Sequence, residues 1–188
     1  MEMGDKKLAV LFPGIGYHCD KPLLYYAAKL ARAAGHDVRP VPYAGFPEKV
    51  RGDGDKLRAS LEIAWEQAVE MLADVDWAAW SDVLFIGKSI GTIVASRYAL
   101  EKGLAVKNVL LTPLADTFPY VRGRAVAFHG TADPWADTGA VAAACREKGI
   151  PLHLTEGANH SLETGDVIAD VRTLEETMAR IDAFIREG

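Results

Sequence analysis

The stretch DVLFIGKSIGTIVASRYA, Asp82 to Ala99, changes character twice along its length. Val83 to Ile86 is a continuous apolar run, the pattern of a short strand buried on both faces. Gly87-Lys88-Ser89-Ile90-Gly91 then sets two glycines around a serine. Beyond it Ile90, Ile93, Val94 and Ala95 recur at helical spacing, and Gly103 supplies a stop. Strand, G-x-S-x-G and helix together describe a nucleophile elbow. In that motif a serine sits on a tight, strained turn with its hydroxyl exposed, and glycines relieve the crowding. The same letters also suit an ordinary βα turn, so the reading depends on finding a base and an acid elsewhere in the chain.

On either side of this stretch the sequence alternates short apolar runs with amphipathic segments. Leu8–Phe12, Asp37–Val41, Val109–Leu111, Ala125–Phe128 and Leu152–Leu154 read as further strands, giving about six with the central one. Pro40 and Pro42 flank Val41 and place the second strand at a sheet edge, where a missing N–H breaks no ladder. Helical stripes run through Leu23, Leu24, Ala27, Ala28, Ala31 and Ala34; through Leu57, Leu61, Ala64, Trp65, Ala68 and Leu72; around Ala140, Val141, Ala144 and Cys145; and through Val171, Leu174, Met178, Ile181 and Ile185. Tyr43–Asp55 is one long surface connection. Trp77 and Trp80 are expected to be packing anchors.

This alternation implies an α/β fold, a three-layer α/β/α sandwich with a mainly parallel sheet and right-handed crossovers. In such sheets ligands bind beyond the carboxyl ends of the strands. The loops Pro13–Gly16, Gly87–Gly91, Gly130–Trp135 and Gly157–Ser161 each follow a strand, so they are expected on one rim.

The bulk properties narrow the function classes. The 188 residues, 49% hydrophobic and 25% charged, suit one globular domain over residues 1–188 that buries about 70% of its unfolded surface. A net charge of −5 argues against nucleic acid or an anionic membrane as partner. No apolar run approaches the roughly 20 residues of a membrane span, and MEMGDKKLAV lacks the features of a signal peptide. Cys19 and Cys145 are read as reduced thiols of a cytoplasmic protein. No metal-ligand spacing occurs, so no metal and no cofactor is expected. Unpaired edge strands leave a homodimer open.

A serine becomes a nucleophile at neutral pH only beside a base, which in turn needs an acid to fix its tautomer. Of five histidines, His36 and His153 read as structural, His129 as a support for its loop, and His18 as a rim residue that touches substrate. His160, in the loop after the last strand, is the expected base, with His129 as the other candidate. Asp133 follows a strand directly and is the expected acid; Asp116 and Glu156 are alternatives.

The order Ser89, Asp133, His160 is the nucleophile–acid–base order of the α/β hydrolases. GKSIG resembles their elbow, HGTADPW the segment carrying the acid, and GANHSLE the segment carrying the histidine. FPGIG resembles the first-strand HGxG motif, with Pro13 in place of the usual histidine. The chain is thus similar to small, lidless members of that superfamily, nearest to dienelactone-hydrolase-like esterases, without the N-terminal strand pair of larger members. The resemblance implies Ser89 as nucleophile, Asp133 as acid and His160 as base, with an oxyanion hole from the backbone N–H groups of Ile15 and Ile90. It implies hydrolysis of a small ester or thioester, with Tyr17, His18, Phe46, Pro113 and Trp135 as pocket walls. Activity is then expected to rise with pH around 6.5–7, as His160 loses its proton.

Two residues depart from the usual pattern. Lys88, where many members have a histidine or an aromatic residue, is expected to be solvated outside the site or bonded to a nearby carbonyl. Thr92, in place of a frequent glycine, is expected to tighten helix–strand packing. FPGIG with GKSIG also resembles acyl-carrier-protein acyltransferases, but those are longer and have a glutamine at the position of Ile15. Gly14-Ile15-Gly16 begins like a dinucleotide fingerprint, yet Cys19 occupies the third glycine position. A non-catalytic binding protein on a hydrolase scaffold is the alternative from a different functional class.

Overall fold

The computed structural model describes residues 6–187. The first five residues, which form half of the segment read for a signal peptide, lie outside the described residues. The described chain runs β1 (Lys7–Phe12), α1 (Pro22–Ala33), β2 (His36–Pro40), α2 (Gly54–Met71), β3 (Asp82–Lys88), α3 (Ile90–Glu101), β4 (Lys107–Leu111), β5 (Ala125–Gly130), α4 (Thr138–Lys148), β6 (Leu152–Thr155) and α5 (Val167–Arg186). The six strands form one sheet in the order β2-β1-β3-β4-β5-β6, with every neighbouring pair parallel. The strand flanked by Pro40 and Pro42 is an edge strand.

Alternation along each central strand feeds two cores. Ala9 and Leu11 of β1, Leu84 and Ile86 of β3, and Val109 and Leu111 of β4 face α1 and α5, where Leu24, Ala27, Ala31 and Ile181 complete one layer. Leu8, Val10 and Phe12 with Val83 and Phe85 face α2 and α3 and meet Ala64, Ala68, Ile90 and Val94. Farther along the sheet, Leu110, Ala125 and Ala127 pack on Val141 and Cys145 of α4. Both faces are covered, which is why these strands read as unbroken apolar runs. Trp77 packs edge-on against Phe85 and near Tyr98, as the anchor reading expected.

The connection after β2 is a surface segment as read, though it ends at Asp53 rather than Asp55, and α5 differs from the sequence reading. The long connection after β2 is held at Ala44, whose N–H donates to Gln67 Oε1 (3.0 Å) and whose carbonyl accepts from Gln67 Nε2 (2.8 Å). It ends at Asp53, the N-cap of α2. In α5, Val171 is 58% exposed instead of buried. The buried residues of this helix, Thr177, Ile181, Phe184 and Ile185, all lie in its C-terminal half. Its first turns border an open cavity of about 400 Å3 with Tyr17 and Leu23.

The topology fixes where a ligand can go. From β1 the chain steps outward to β2, then returns to the other side of β1 as β3 and proceeds the opposite way. The loops leaving β1 and β3 therefore part at the point where the strand order reverses, and a crevice opens there. Pro13–Gly16 and Ser89 flank that crevice.

Candidate active site

Ser89 links the end of β3 to the start of α3 with φ 56° and ψ −124°. A non-glycine residue there is strained and persists only where its surroundings enforce it. The enforcement is close packing. A Cβ built on Gly91 would lie 2.0 Å from the carbonyl oxygen of Phe12, so the first turn of α3 sits directly against the end of β1. Thr92 adds hydrogen bonds: its hydroxyl donates to the Ser89 carbonyl (2.7 Å) and shares a 2.6 Å hydrogen bond with Thr117.

The Ser89 hydroxyl meets His160 across the rim. Ser89 Oγ lies 2.7 Å from His160 Nε2, and His160 Nδ1 lies 2.6 Å from Asp133 Oδ2. An ionised carboxylate only accepts, so Nδ1–H donates to Asp133 and Nε2 is left to accept the serine proton. Asp133 Oδ1 accepts from the Trp135 N–H (2.8 Å), which leaves both carboxylate oxygens engaged. Burial pushes the Asp133 carboxyl up, but the hydrogen bond from His160 and its charge outweigh this and hold it below the usual range. Burial is also the largest influence on His160. It outweighs the Asp133 hydrogen bond, and nearby Lys88 lowers the imidazole further, so the net direction is below 6.5.

The acid and base loops are stitched together. Ala132 N–H donates to the Ala158 carbonyl (3.0 Å), and Gly157 N–H donates to Thr131 Oγ1 (2.8 Å). A Cβ on Gly130 would fall 2.2 Å from the Ala158 oxygen, so only glycine permits this approach. Asn159 Oδ1 accepts from the Ser161 and Glu163 N–H groups (2.7 and 3.2 Å), fixing the turn that carries His160. The Trp135 ring stacks on the imidazole at 5.5 Å between centroids. His129 is fully buried behind the acid, its Nε2 3.2 Å from Thr138 Oγ1 and its Nδ1 3.6 Å from Asp133 Oδ2.

The loop after β1 is closed by paired Gly14–Tyr17 backbone hydrogen bonds (3.1 and 3.3 Å). The Ile15 N–H has no acceptor among the described residues, nor has the N–H of Ile90, the first residue of α3. A helix N-terminus leaves such donors free and favours negative charge beside them. Ile15, Tyr17, Lys88, Trp135 and His160 border a cavity of about 170 Å3 that opens on Ser89.

Of the expected wall residues, Tyr17 and Trp135 therefore border the serine. His18 and Phe46 line a neighbouring cavity of about 380 Å3 that meets the first one at Gly16 and Tyr17. Pro113 is buried at the end of β4 and borders neither. Asp116 is exposed in the short helical turn Ala115–Thr117 and lines a separate cavity with Leu61 and Arg97, remote from the imidazole's partner.

Lys88 corrects the sequence expectation. It is neither solvated nor bonded to a carbonyl: the residue is 1% exposed, and its ammonium lies 4.9 Å above the Tyr17 ring. The reason is its place in the strand. Lys88 is the last residue of β3, in register with Leu111 of β4, and its side chain enters the packed rim beside Gly14 of the first loop. The apolar run on either side of it carried that signal. Lys21 was not singled out from the sequence; its ammonium lies over the same ring, 5.4 Å from the centroid.

No family model matches the sequence, and no curated protein does. Solved structures do match the fold. A lidless α/β serine hydrolase from Xanthomonas campestris is 19% identical with a TM-score of 0.63, over 96% of this chain and 81% of that one. The chain has the lidless α/β-hydrolase fold. An esterase from Pyrococcus furiosus shares this fold at 15% identity and a TM-score of 0.67, covering 98% and 84% of the two chains. Est1E from Butyrivibrio proteoclasticus, solved with ferulic acid bound, aligns at 14% identity and a TM-score of 0.68, covering 97% and 90%. Within this fold Ser89 occupies the strand-to-helix turn at the switch point of the sheet.

Proposed function

We propose that the protein is a serine hydrolase that cleaves small carboxylic esters or thioesters through an acyl-enzyme. One observation carries this reading: the unbroken hydrogen-bonded chain from Ser89 Oγ through His160 to Asp133, at 2.7 and 2.6 Å, on a serine held at positive φ. The folds it resembles include esterases, which supports the same reaction class.

In the mechanism His160 Nε2 takes the proton as Ser89 Oγ attacks the carbonyl carbon. The oxyanion so formed accepts hydrogen bonds from the Ile15 and Ile90 N–H groups, donors already in place and otherwise unused. His160 returns its proton to the departing alcohol or thiol as the carbon–heteroatom bond breaks. Water then enters, loses a proton to His160 and adds to the acyl carbon; the imidazole returns that proton to Ser89 Oγ as the C–Oγ bond breaks and the acid leaves. Asp133 keeps the imidazole in the tautomer with Nε2 free and stabilises its charged form. Trp135 and Tyr17 form the walls nearest the reacting carbon. The unpaired thiols of Cys19 and Cys145 fit a reducing, cytoplasmic setting.

The test is a fluorophosphonate probe together with a panel of short-chain esters and thioesters. Wild type should be labelled and active, and Ser89→Ala should lose labelling and up to about 10⁶-fold in turnover. Equal labelling of both proteins would move the nucleophile elsewhere. No labelling and no turnover in wild type would favour a binding protein on this scaffold.

A further inference from the structure

Lys88 is a buried cation at the cavity wall that the hydrolytic mechanism does not use. Its ammonium has no hydrogen bond and no ion pair among the described residues and lies over the Tyr17 ring. The acid nearest by charge, Asp133, has both oxygens occupied by His160 and Trp135. Glu163 acts on it only at longer range, Lys21 repels it, and His160 is itself disfavoured as a cation by it. At 1% exposure the side chain keeps little hydration beyond what reaches its ammonium through the cavity, and holding a charge there without an ionic partner is costly. It is tolerated where an incoming group completes the pair.

We propose that the substrate cleaved at Ser89 carries a carboxylate close to its scissile carbonyl, received by the Lys88 ammonium with Lys21, which borders the same cavity, assisting. This rests on the reading of Ser89 as nucleophile. Lys21, Lys88 and Ser89 border one cavity of about 170 Å3, so a charge held there lies within a few atoms of the reacting carbon. A small, singly charged group matches the one buried ammonium, whereas a bulkier dianion would bring excess charge towards Glu163.

The same environment makes recognition proton-linked. Burial brings the Lys88 ammonium down to about 7, opposed by Asp133 and Glu163 and reinforced by Lys21. Below pH 7 the empty site therefore holds a cation. At pH 8 roughly a tenth of the molecules do, and an entering carboxylate draws the missing proton from solvent.

The test compares methyl hydrogen succinate with methyl butanoate, and O-butanoyl glycolate with ethyl butanoate. The first pair places the charge on the acyl side and the second on the alcohol side. Hydrolysis is followed by NMR between pH 6 and 8.5. In wild type one charged ester should be preferred over its neutral partner, and Lys88→Met should reduce that preference by about 10- to 100-fold, the worth of a charge-assisted hydrogen bond. Its advantage should also decline by about tenfold per pH unit above 7, because the His160 titration cancels in the ratio. Acetate should inhibit methyl butanoate hydrolysis more strongly at pH 6.5 than at 8.5, a measurement that needs no variant. Preference for neutral esters in both pairs, or an unchanged preference in Lys88→Met, overturns the proposal.

Binding separates this inference from the hydrolase reading. Ser89→Ala should bind the favoured charged ester with proton uptake, measured by calorimetry at pH 7.5 in two buffers of different ionisation enthalpy, and Ser89→Ala/Lys88→Met should not. Binding without turnover by wild type would remove the hydrolase reading and leave the carboxylate site standing. Turnover without charge preference would do the reverse.

Discussion

Replacing Gly91 with alanine sets two opposing effects against each other. Gly91 is the second residue of α3, and alanine in a helix is favoured over glycine by about 1 kcal/mol. Propensity alone thus predicts a more stable protein. The new Cβ, however, would stand 2.0 Å from the Phe12 oxygen and 2.5 Å from the Pro13 oxygen, where ordinary contact begins near 3.4 Å. The shortfall of about 1.4 Å (3.4 less 2.0) has to come from backbone, since both obstacles are carbonyls. Phe12 ends a strand paired with neighbours on both sides, so the N-terminus of α3 is the part that yields.

Overpacking of this kind costs typically about 1–3 kcal/mol, and more where backbone has to shift. Because backbone has to shift, the upper end of about 3 kcal/mol applies; less the propensity gain of about 1 kcal/mol, a net loss of about 2 kcal/mol is expected, or about 4–8 °C in Tm for a chain of this length. The larger effect falls on the site, because the same shift moves Ser89 and the Ile90 N–H away from His160 and the first loop. A displacement near 1 Å in a reacting constellation can cost about 100-fold in rate. Thermal unfolding and the rate of fluorophosphonate labelling measure the two effects separately. A rise in Tm with unchanged labelling would refute the claim that the contact between α3 and the end of β1 holds the serine in place.

Three further outcomes are expected. Because burial and Lys88 lower His160, the rise in activity with pH should be centred below 6.5 and not at 6.5–7; it reflects loss of the imidazole proton, and Lys88→Met, by removing a like charge, should move the midpoint upward. Asp133→Asn should cost about 10⁴-fold in kcat by allowing the wrong tautomer, while Asp116→Asn on the exposed turn should leave kcat within about twofold of wild type. Thr92→Val keeps the shape but strands the buried Thr117 hydroxyl, and urea unfolding should register a loss of about 1–3 kcal/mol.

What could be read from the sequence divides along a physical line. Strands buried on both faces announce themselves as apolar runs, so Val83–Ile86 and Ala125–Phe128 were visible, as was the edge position of the strand ringed by prolines. Residues at the carboxyl ends of those strands were then confined to one rim, which is why Ser89, Asp133 and His160 could be named before their distances were known. Side-chain direction within the rim was not accessible in this way. His18, Phe46 and Pro113 follow the right strands, but the Gly14–Tyr17 pairing turns the first loop so that Tyr17, and not His18, faces the serine. Val171 continues a helical stripe whose buried part ends earlier, because nothing in the periodicity of α5 records where its neighbouring layer stops.

The arrangement of close contacts explains how a sheet of six strands holds Ser89, Asp133 and His160 in register. Ser89 and the two free N–H groups belong to a unit formed by β1, β3 and α3, locked where Gly91 meets Phe12. Asp133 and His160 belong to a second unit formed by the loops after β5 and β6, locked where Gly130 meets Ala158. Hydrogen bonding across the site passes between these units through Ser89 and His160, while β4 separates their strands within the sheet. The Ser89 N–H donates to the Leu111 carbonyl at the end of β4, and the Thr112 N–H donates to the Phe128 carbonyl of β5, at 3.0 and 2.8 Å. Those two bonds carry the spacing of one unit to the other through backbone alone. Side chains on the cavity wall can therefore change, as Lys88 has relative to the residues usual at that position, without disturbing the distance from hydroxyl to imidazole. Under the proposed hydrolase reading, specificity and chemistry are set by separable parts of the same rim.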